Sequence, residues 1–157
     1  MSQFRTDHIR NIVLVGHGAA GKTTLADQLL FRAGVGSRAG SVDEGTSQLD
    51  VDDEERQRHL SISSAMVHFD HHGVRVNVID TPGYPDFVGQ AISALCAAET
   101  AVIVVNATAG IEANTRRTFE LAGQAHLARM IVLNKLDQEN IDFAGLVTQI
   151  QEQFGTQ

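Results

Sequence analysis

Apolar positions fall along the chain in two rhythms. Short runs rich in Val, Ile and Leu occupy residues 11–16 (NIVLVG), 74–80 (VRVNVID), 101–106 (AVIVVN) and 129–134 (RMIVLN), and longer stretches between them space their apolar residues for a helix. The first rhythm belongs to strands and the second to amphipathic helices, so their alternation predicts an α/β sheet with covering helices. A run as continuously apolar as AVIVV suits a strand buried on both faces of a largely parallel sheet. Helices are expected over residues 21–33, 86–98, 114–125 and 142–154. Pro85 opens the second, where a missing N–H costs nothing, and Phe87 is its expected core anchor. SAMVHFDHHG alternates polar and apolar residues up to a glycine turn, which predicts a hairpin and an antiparallel edge strand.

One stretch escapes both rhythms. Residues 34–61 (GVGSRAGSVDEGTSQLDVDDEERQRHLS) are polar and aperiodic, and a loop of that length in a compact domain is functional or disordered. The chain's 157 residues, 43% of them hydrophobic, suffice for one domain with a real core and not for two. The single cysteine, Cys96, excludes an internal disulfide and reads as a small core residue on the apolar side of its helix. With no signal-peptide pattern and no apolar run long enough to span a bilayer, the chain reads as soluble and cytoplasmic, with no membrane partner. A formal net charge of -7 argues against free nucleic acid as a partner. Arg56, Arg58 and His59, set beside the acidic run DVDDEE, read as a solvated loop. His68, His71 and His72 lack a ligand spacing and read as a solvated hairpin.

Three short motifs carry chemistry. GHGAAGKT leaves a predicted strand and opens a predicted helix, the context that a Gly-x-x-x-x-Gly-Lys-Ser/Thr phosphate loop requires. Gly16, Gly18 and Gly21 let the backbone curl into a nest of N–H groups at a helix N-terminus. The phosphate ligands expected there are Gly16, His17, Gly18, Ala19, Ala20, Gly21, Lys22, Thr23 and Thr24. Lys22 supplies charge for the outer phosphates, and the Thr23 hydroxyl is a candidate Mg2+ ligand. In DTPG, Asp80 ends a strand as a second candidate metal ligand, and Gly83 offers its N–H to a terminal phosphate without a side chain in the way. NKLD also leaves the carboxyl end of a strand. There the Asn134 amide and the Asp137 carboxylate match the guanine edge, and the Lys135 stem walls the base.

In this order, the motifs make the chain resemble the translational GTPases, and most closely the GTP-binding domain of elongation factor G or its paralogues. DEERQRHLSISSA resembles the family's Asp/Glu-Glu-Arg-x-Arg-Gly-Ile-Thr-Ile-x-Ser-Ala segment, and DTPGYPDF its Asp-Thr-Pro-Gly-His-x-Asp-Phe. VVNATAGIEANT and LNKLDQENIDF match the regions that follow. The resemblance implies a P-loop GTPase domain: three layers around a mostly parallel sheet with one antiparallel edge strand. Residues 34–64 would be the first switch, 80–90 the second, and Ser61 would stand for the threonine whose hydroxyl meets Mg2+. Leu60 and Ile62 would face the core, and His59 replaces the family's glycine. The implied activity is GTP hydrolysis to GDP and phosphate during ribosomal translocation, with the ribosome as partner of the full-length protein. The family pattern continues past residue 157 with a strand and a guanine-contacting Ser-Ala dipeptide, so the resemblance implies an incomplete domain.

Tyr84 departs from the pattern. The family places a histidine here to orient the attacking water, and Tyr84, with Gly83 and Lys22, completes the expected catalytic set. A phenol is a poor base at neutral pH, although it donates and accepts hydrogen bonds. Two readings stand side by side: a GTPase in which Tyr84 or another group holds the water, and a GTP-dependent binding module with little hydrolysis. An ATP-using P-loop protein is a third, disfavoured by Asp137, because adenine lacks the paired donors a carboxylate selects.

Overall fold

The structure, a computed structural model, describes residues 4–36, 38–42, 44–49, 54–55 and 60–155. Arg56, Arg58, His59 and residues 50–53 of the acidic run lie outside the described residues. Five strands, β1 (Ile9–Gly16), β2 (Ala65–His71), β3 (Val74–Asp80), β4 (Thr100–Asn106) and β5 (Ala128–Asn134), form one sheet in the order β2-β3-β1-β4-β5. β3, β1, β4 and β5 run parallel, and β2 joins antiparallel at the edge. The hairpin β2–β3 turns through His72 and Gly73, both at positive φ (47° and 80°), the pairing a tight two-residue turn demands.

Period-two alternation explains the layers. Val13, Val15, Ile103 and Val105 face one side and pack with Ala91, Ala94, Leu95 and Ala122 of helices α2 (Val88–Leu95) and α3 (Ala113–Gln124). Leu14, Val78, Val102 and Val104 face the other side, where Ala26 of helix α1 (Lys22–Arg32) meets them. Burial of each such Val, Leu or Ile stabilises the fold by about 1.5–3 kcal/mol, so the central strands anchor everything hung on them. Helix α4 (Phe143–Phe154) joins the α2–α3 side by stacking Phe154 on Phe119, with ring centroids 4.1 Å apart. At its start the Asp142 carboxylate accepts from the Gly145 N–H (2.9 Å), a side-chain cap of the first turn.

Four expectations are corrected. The second helix begins later and is shorter than 86–98: Pro85–Phe87 forms a single 3-10 turn, and α2 follows as Val88–Leu95. Pro85 forces an extended backbone on Tyr84 (φ −87°, ψ 143°), and the Phe87 N–H closes the tight turn on the Tyr84 carbonyl at 3.1 Å. Phe87 is half-buried rather than a core anchor, because Ala91, Ala94 and Leu95 make the sheet contact. Cys96 lies past the last helical turn and is exposed, its thiol directed at the Ile92 carbonyl (3.4 Å). Leu60 and Ile62 are half-buried and do not enter the core, and Leu60 lines the site cavity.

The parallel arrangement brings the carboxyl ends of β1, β3, β4 and β5 to one edge. Leu14 pairs with Asp80, Gly16 with Val104, and Asn106 with Asn134, which places all three motifs at that edge.

Candidate functional site

The phosphate-loop sequence bends out of β1 at Gly16 (φ 137°), where a side chain would strike the Val104 carbonyl, and enters α1 at Gly21 (φ 90°). Between them Ala19 holds a left-handed backbone (φ 57°), a conformation that costs a non-glycine residue about 1–2 kcal/mol. Ala20 is buried in the core beneath the loop, whereas Ala19 and Thr24 are exposed. Lys22 is 5% exposed and donates to the His17 carbonyl (2.8 Å) and, more weakly, the Gly16 carbonyl (3.4 Å). Burial pushes its pKa below the ordinary lysine value, opposed by the charges of Asp80 and Glu112. The loop is also tied to the segment before α3, because His17 Nε2 lies 3.4 Å from Glu112 Oε1.

The three candidate metal ligands meet. Thr23 Oγ1 donates to Asp80 Oδ2 at 2.6 Å and lies 3.2 Å from Ser61 Oγ. Two hydroxyls and a carboxylate converging on one point are hard oxygen donors of the kind Mg2+ takes, so the residues fit that ion. Asp80 is held there because the next residue, Thr81, is buried and donates from Oγ1 to the Leu14 carbonyl (2.7 Å).

Gly83 lies directly on the loop. A side chain there would meet Lys22 Nζ and sit 2.6 Å from both the Gly18 nitrogen and the His17 carbonyl oxygen, so only glycine permits the approach. Its carbonyl accepts from Asn114 Nδ2 (2.7 Å). Tyr84, 41% exposed, lays its ring over Gly18. Lys22, Thr23, Ser61, Gly83 and Tyr84 line one cavity of about 350 Å³, and Val42 and Leu60 close it from the polar stretch.

The base-reading motif divides. Asn134 sits behind Gly21 and donates from Nδ2 to the Ala20 carbonyl (2.9 Å), so one half of its amide clamps β5 to the phosphate loop. Lys135 takes a left-handed backbone (φ 62°) and lines the cavity. Asp137 stands exposed in the following turn and is not part of the cavity wall.

Sequence reasoning missed the groups that hold the site. Asn114 is one. Asp27 of α1 is another: it is 1% exposed, accepts from the Gln48 N–H (3.2 Å) and has Gly40 packed against its carboxylate. The buried Glu55 accepts from the Ile62 and Ser63 N–H groups (2.8 and 3.0 Å), fixing the chain just after Ser61. A charged residue in an otherwise helix-compatible stretch, Asp27, was the only visible signal.

Comparison with known proteins gives concordant results. The profile of the family described as "Elongation factor Tu GTP binding domain" matches residues 7–157. The chain is 40% identical over 147 residues to an "Elongation factor G-like protein" of Mycobacterium tuberculosis, covering 94% of this chain and 21% of that protein. It is 36% identical over 148 residues to "Ribosome-releasing factor 2, mitochondrial" of Culex quinquefasciatus, covering 94% of this chain and 20% of the other. A crystal structure of a Thermus thermophilus protein superposes with a TM-score of 0.90 at 37% identity, covering 94% of this chain and 22% of that one. The chain thus spans about a fifth of the length of these relatives. The expected fold class, a mixed α/β P-loop GTPase arrangement with one antiparallel edge pair, is the observed one.

Proposed function

The chain belongs to the elongation factor Tu GTP-binding domain family, and from that premise we propose that residues 1–157 form the GTP-binding and GTP-hydrolysing domain of an elongation factor G-type protein. Its partner is the ribosome, its step is translocation, and its compartment is the cytoplasm. Residues 34–64 act as the first switch and 80–90 as the second. The names of the Mycobacterium and Culex relatives support work in translation. The observation that carries the reading is the convergence of Lys22, Thr23, Ser61 and Gly83 on one cavity at the carboxyl edge of the sheet, with Asp80 accepting from Thr23 beside it.

In this reading the loop N–H groups from Gly16 to Thr24 hold the phosphates, and Lys22 neutralises the outer two. Mg2+ would be held by Thr23, Ser61 and Asp80 and would supply positive charge to offset that of the phosphates. Gly83 presents its N–H to the terminal phosphate, and Asn134, Lys135 and Asp137 read the guanine. The water oxygen bonds to the terminal phosphorus and the bond from that phosphorus to the bridging oxygen breaks. The electron pair leaves with GDP, and the water's oxygen and both its protons go to the released phosphate, which gives up one proton to solvent near neutral pH. Little of this is covalent work for the protein, so rate comes from positioning and charge.

The test is GTP turnover by the full-length protein with and without ribosomes. Strong stimulation by ribosomes is expected, and its absence would sink the translational assignment. Tyr84→His separates the two readings of the tyrosine: a large gain in turnover marks a binding module with impaired chemistry, whereas a loss marks Tyr84 as adapted to hydrolysis.

A further inference from the structure

Gly18 has no backbone reason to be glycine. Its φ is not among the positive ones, in contrast to Gly16 and Gly21 on either side, so any residue fits its main chain. Space is the reason. A Cβ at position 18 would lie 3.1 Å from Tyr84 Cζ and 3.2 Å from both Cε atoms, closer than a side chain sits without displacing the ring. The hydroxyl-bearing end of the tyrosine is therefore the part laid over the phosphate loop.

The Tyr84 main chain is held from both sides. The preceding carbonyl, Gly83 O, accepts from Asn114 Nδ2 (2.7 Å), and Tyr84's own carbonyl accepts from the Phe87 N–H (3.1 Å). Pro85 restricts the residue to the extended backbone it shows. With both flanking peptides fixed, the ring has only its side-chain torsions left, and Gly18 defines the surface on which it comes to rest. Asn114 is 5% exposed on the first turn of α3, whose Ala122 packs in the core, so its amide is fixed relative to the sheet.

We propose that Gly18 and Asn114 are positioning residues for Tyr84. Gly18 leaves room for the ring and Asn114 orients the Gly83 peptide, and together they set the phenol at the phosphate end of the cavity, where it hydrogen-bonds the water that attacks GTP. The proposal rests on the function stated above, and it makes position 18 the determinant of whether a tyrosine can serve at position 84. A side chain at 18 requires the Tyr84 ring to give way and leave its place over the loop.

Tyr84 is the only tyrosine of the chain, so incorporated fluorotyrosine gives a single fluorine NMR resonance that reports its ring. In the nucleotide-free chain, Gly18→Ala and Asn114→Ala should each move that resonance toward the free amino acid. An unmoved resonance in both overturns the placement, whatever the chain does with GTP. In single-turnover hydrolysis by the full-length protein on ribosomes, Asn114→Ala should lower the rate about 10- to 100-fold with GTP affinity changed less than about 3-fold. Asn114→Gln, which keeps the amide, should recover part of the loss. The double variant Asn114→Ala with Tyr84→Phe should be no slower than Tyr84→Phe alone. Additive losses, or an unchanged rate in Asn114→Ala, would overturn the positioning role. Gly18→Ala repeats the rate test on a partly exposed residue, where misfolding does not obscure it. Failure of the proposed function looks different: it appears as a wild-type protein without GTP affinity or ribosome-stimulated turnover.

Discussion

The two ends of the phosphate loop each bring a polar side chain onto a glycine, for different physical reasons. At the helix end Asn134 presses on Gly21, whose φ of 90° already demands glycine, and the amide makes a 2.9 Å hydrogen bond to the Ala20 carbonyl. At the strand end Tyr84 rests on Gly18, which has an ordinary backbone and is glycine only because a ring lies above it. One end is rigid by backbone geometry and a buried clamp. The other depends on the neighbour it was shaped to receive, and it can be altered without disturbing the fold.

The largest expected effect lies just past the helix end, at Lys22. Lys22→Met should weaken GTP binding by at least about 100-fold in calorimetry, since the phosphates lose their buried positive charge. The same change should leave the thermal midpoint no lower than wild type, because burial is the dominant cause of the lowered pKa and a charged Lys22 works against folding. The pH dependence has a definite sign. Between the lowered folded-state pKa and the ordinary value of 10.5, the unfolded chain binds more protons than the folded one, so stability rises with pH there. The wild-type midpoint should therefore gain on that of Lys22→Met as pH climbs through that window, and a constant gap would contradict the buried, charged lysine.

Next comes the rigid end. Gly21→Ala combines an unfavourable φ with a collision against Asn134, and should cost about 1–3 kcal/mol of unfolding free energy in urea titration. Asp137→Asn probes the same end from the base side. It should exchange guanine preference for xanthine by about 10- to 100-fold in nucleotide competition, because the amide offers a donor where the carboxylate accepted two. The smallest effect on stability belongs to the other end: Gly18→Ala should shift unfolding by less than about 0.5 kcal/mol, as the exposed ring swings aside. A Gly18→Ala penalty as large as that of Gly21→Ala would erase the distinction between the two glycines.

Most of the fold was legible in the chain because both rhythms are strong where burial is two-sided. β4 shows five consecutive buried residues, and the hairpin and three of four helices fall within a residue or two of expectation. The exception, α2, failed for a local reason: the periodicity of 86–98 is real, but Pro85 and the tight turn on Tyr84 spend the first residues on a different geometry. Cys96 was misplaced by the same shift, since a helix ending at Leu95 leaves it outside. Of the site, Lys22, Thr23, Asp80 and Gly83 could be placed together from motif and strand order alone.

Motif spacing and apolar patterning were enough to put the phosphate loop, DTPG and NKLD at one edge of a parallel sheet, because strands buried on both faces and joined by helical crossovers run in one direction and end at one edge. They could not tell that Asn134 clamps the loop, that Asp27 and Glu55 hold the polar stretch, or that Asn114, thirty-one positions away, holds the Gly83 carbonyl. Nor could they explain Gly18. Those facts depend on distances between segments remote in sequence, and a glycine required by a neighbour's ring is indistinguishable, in sequence, from one required by its own backbone.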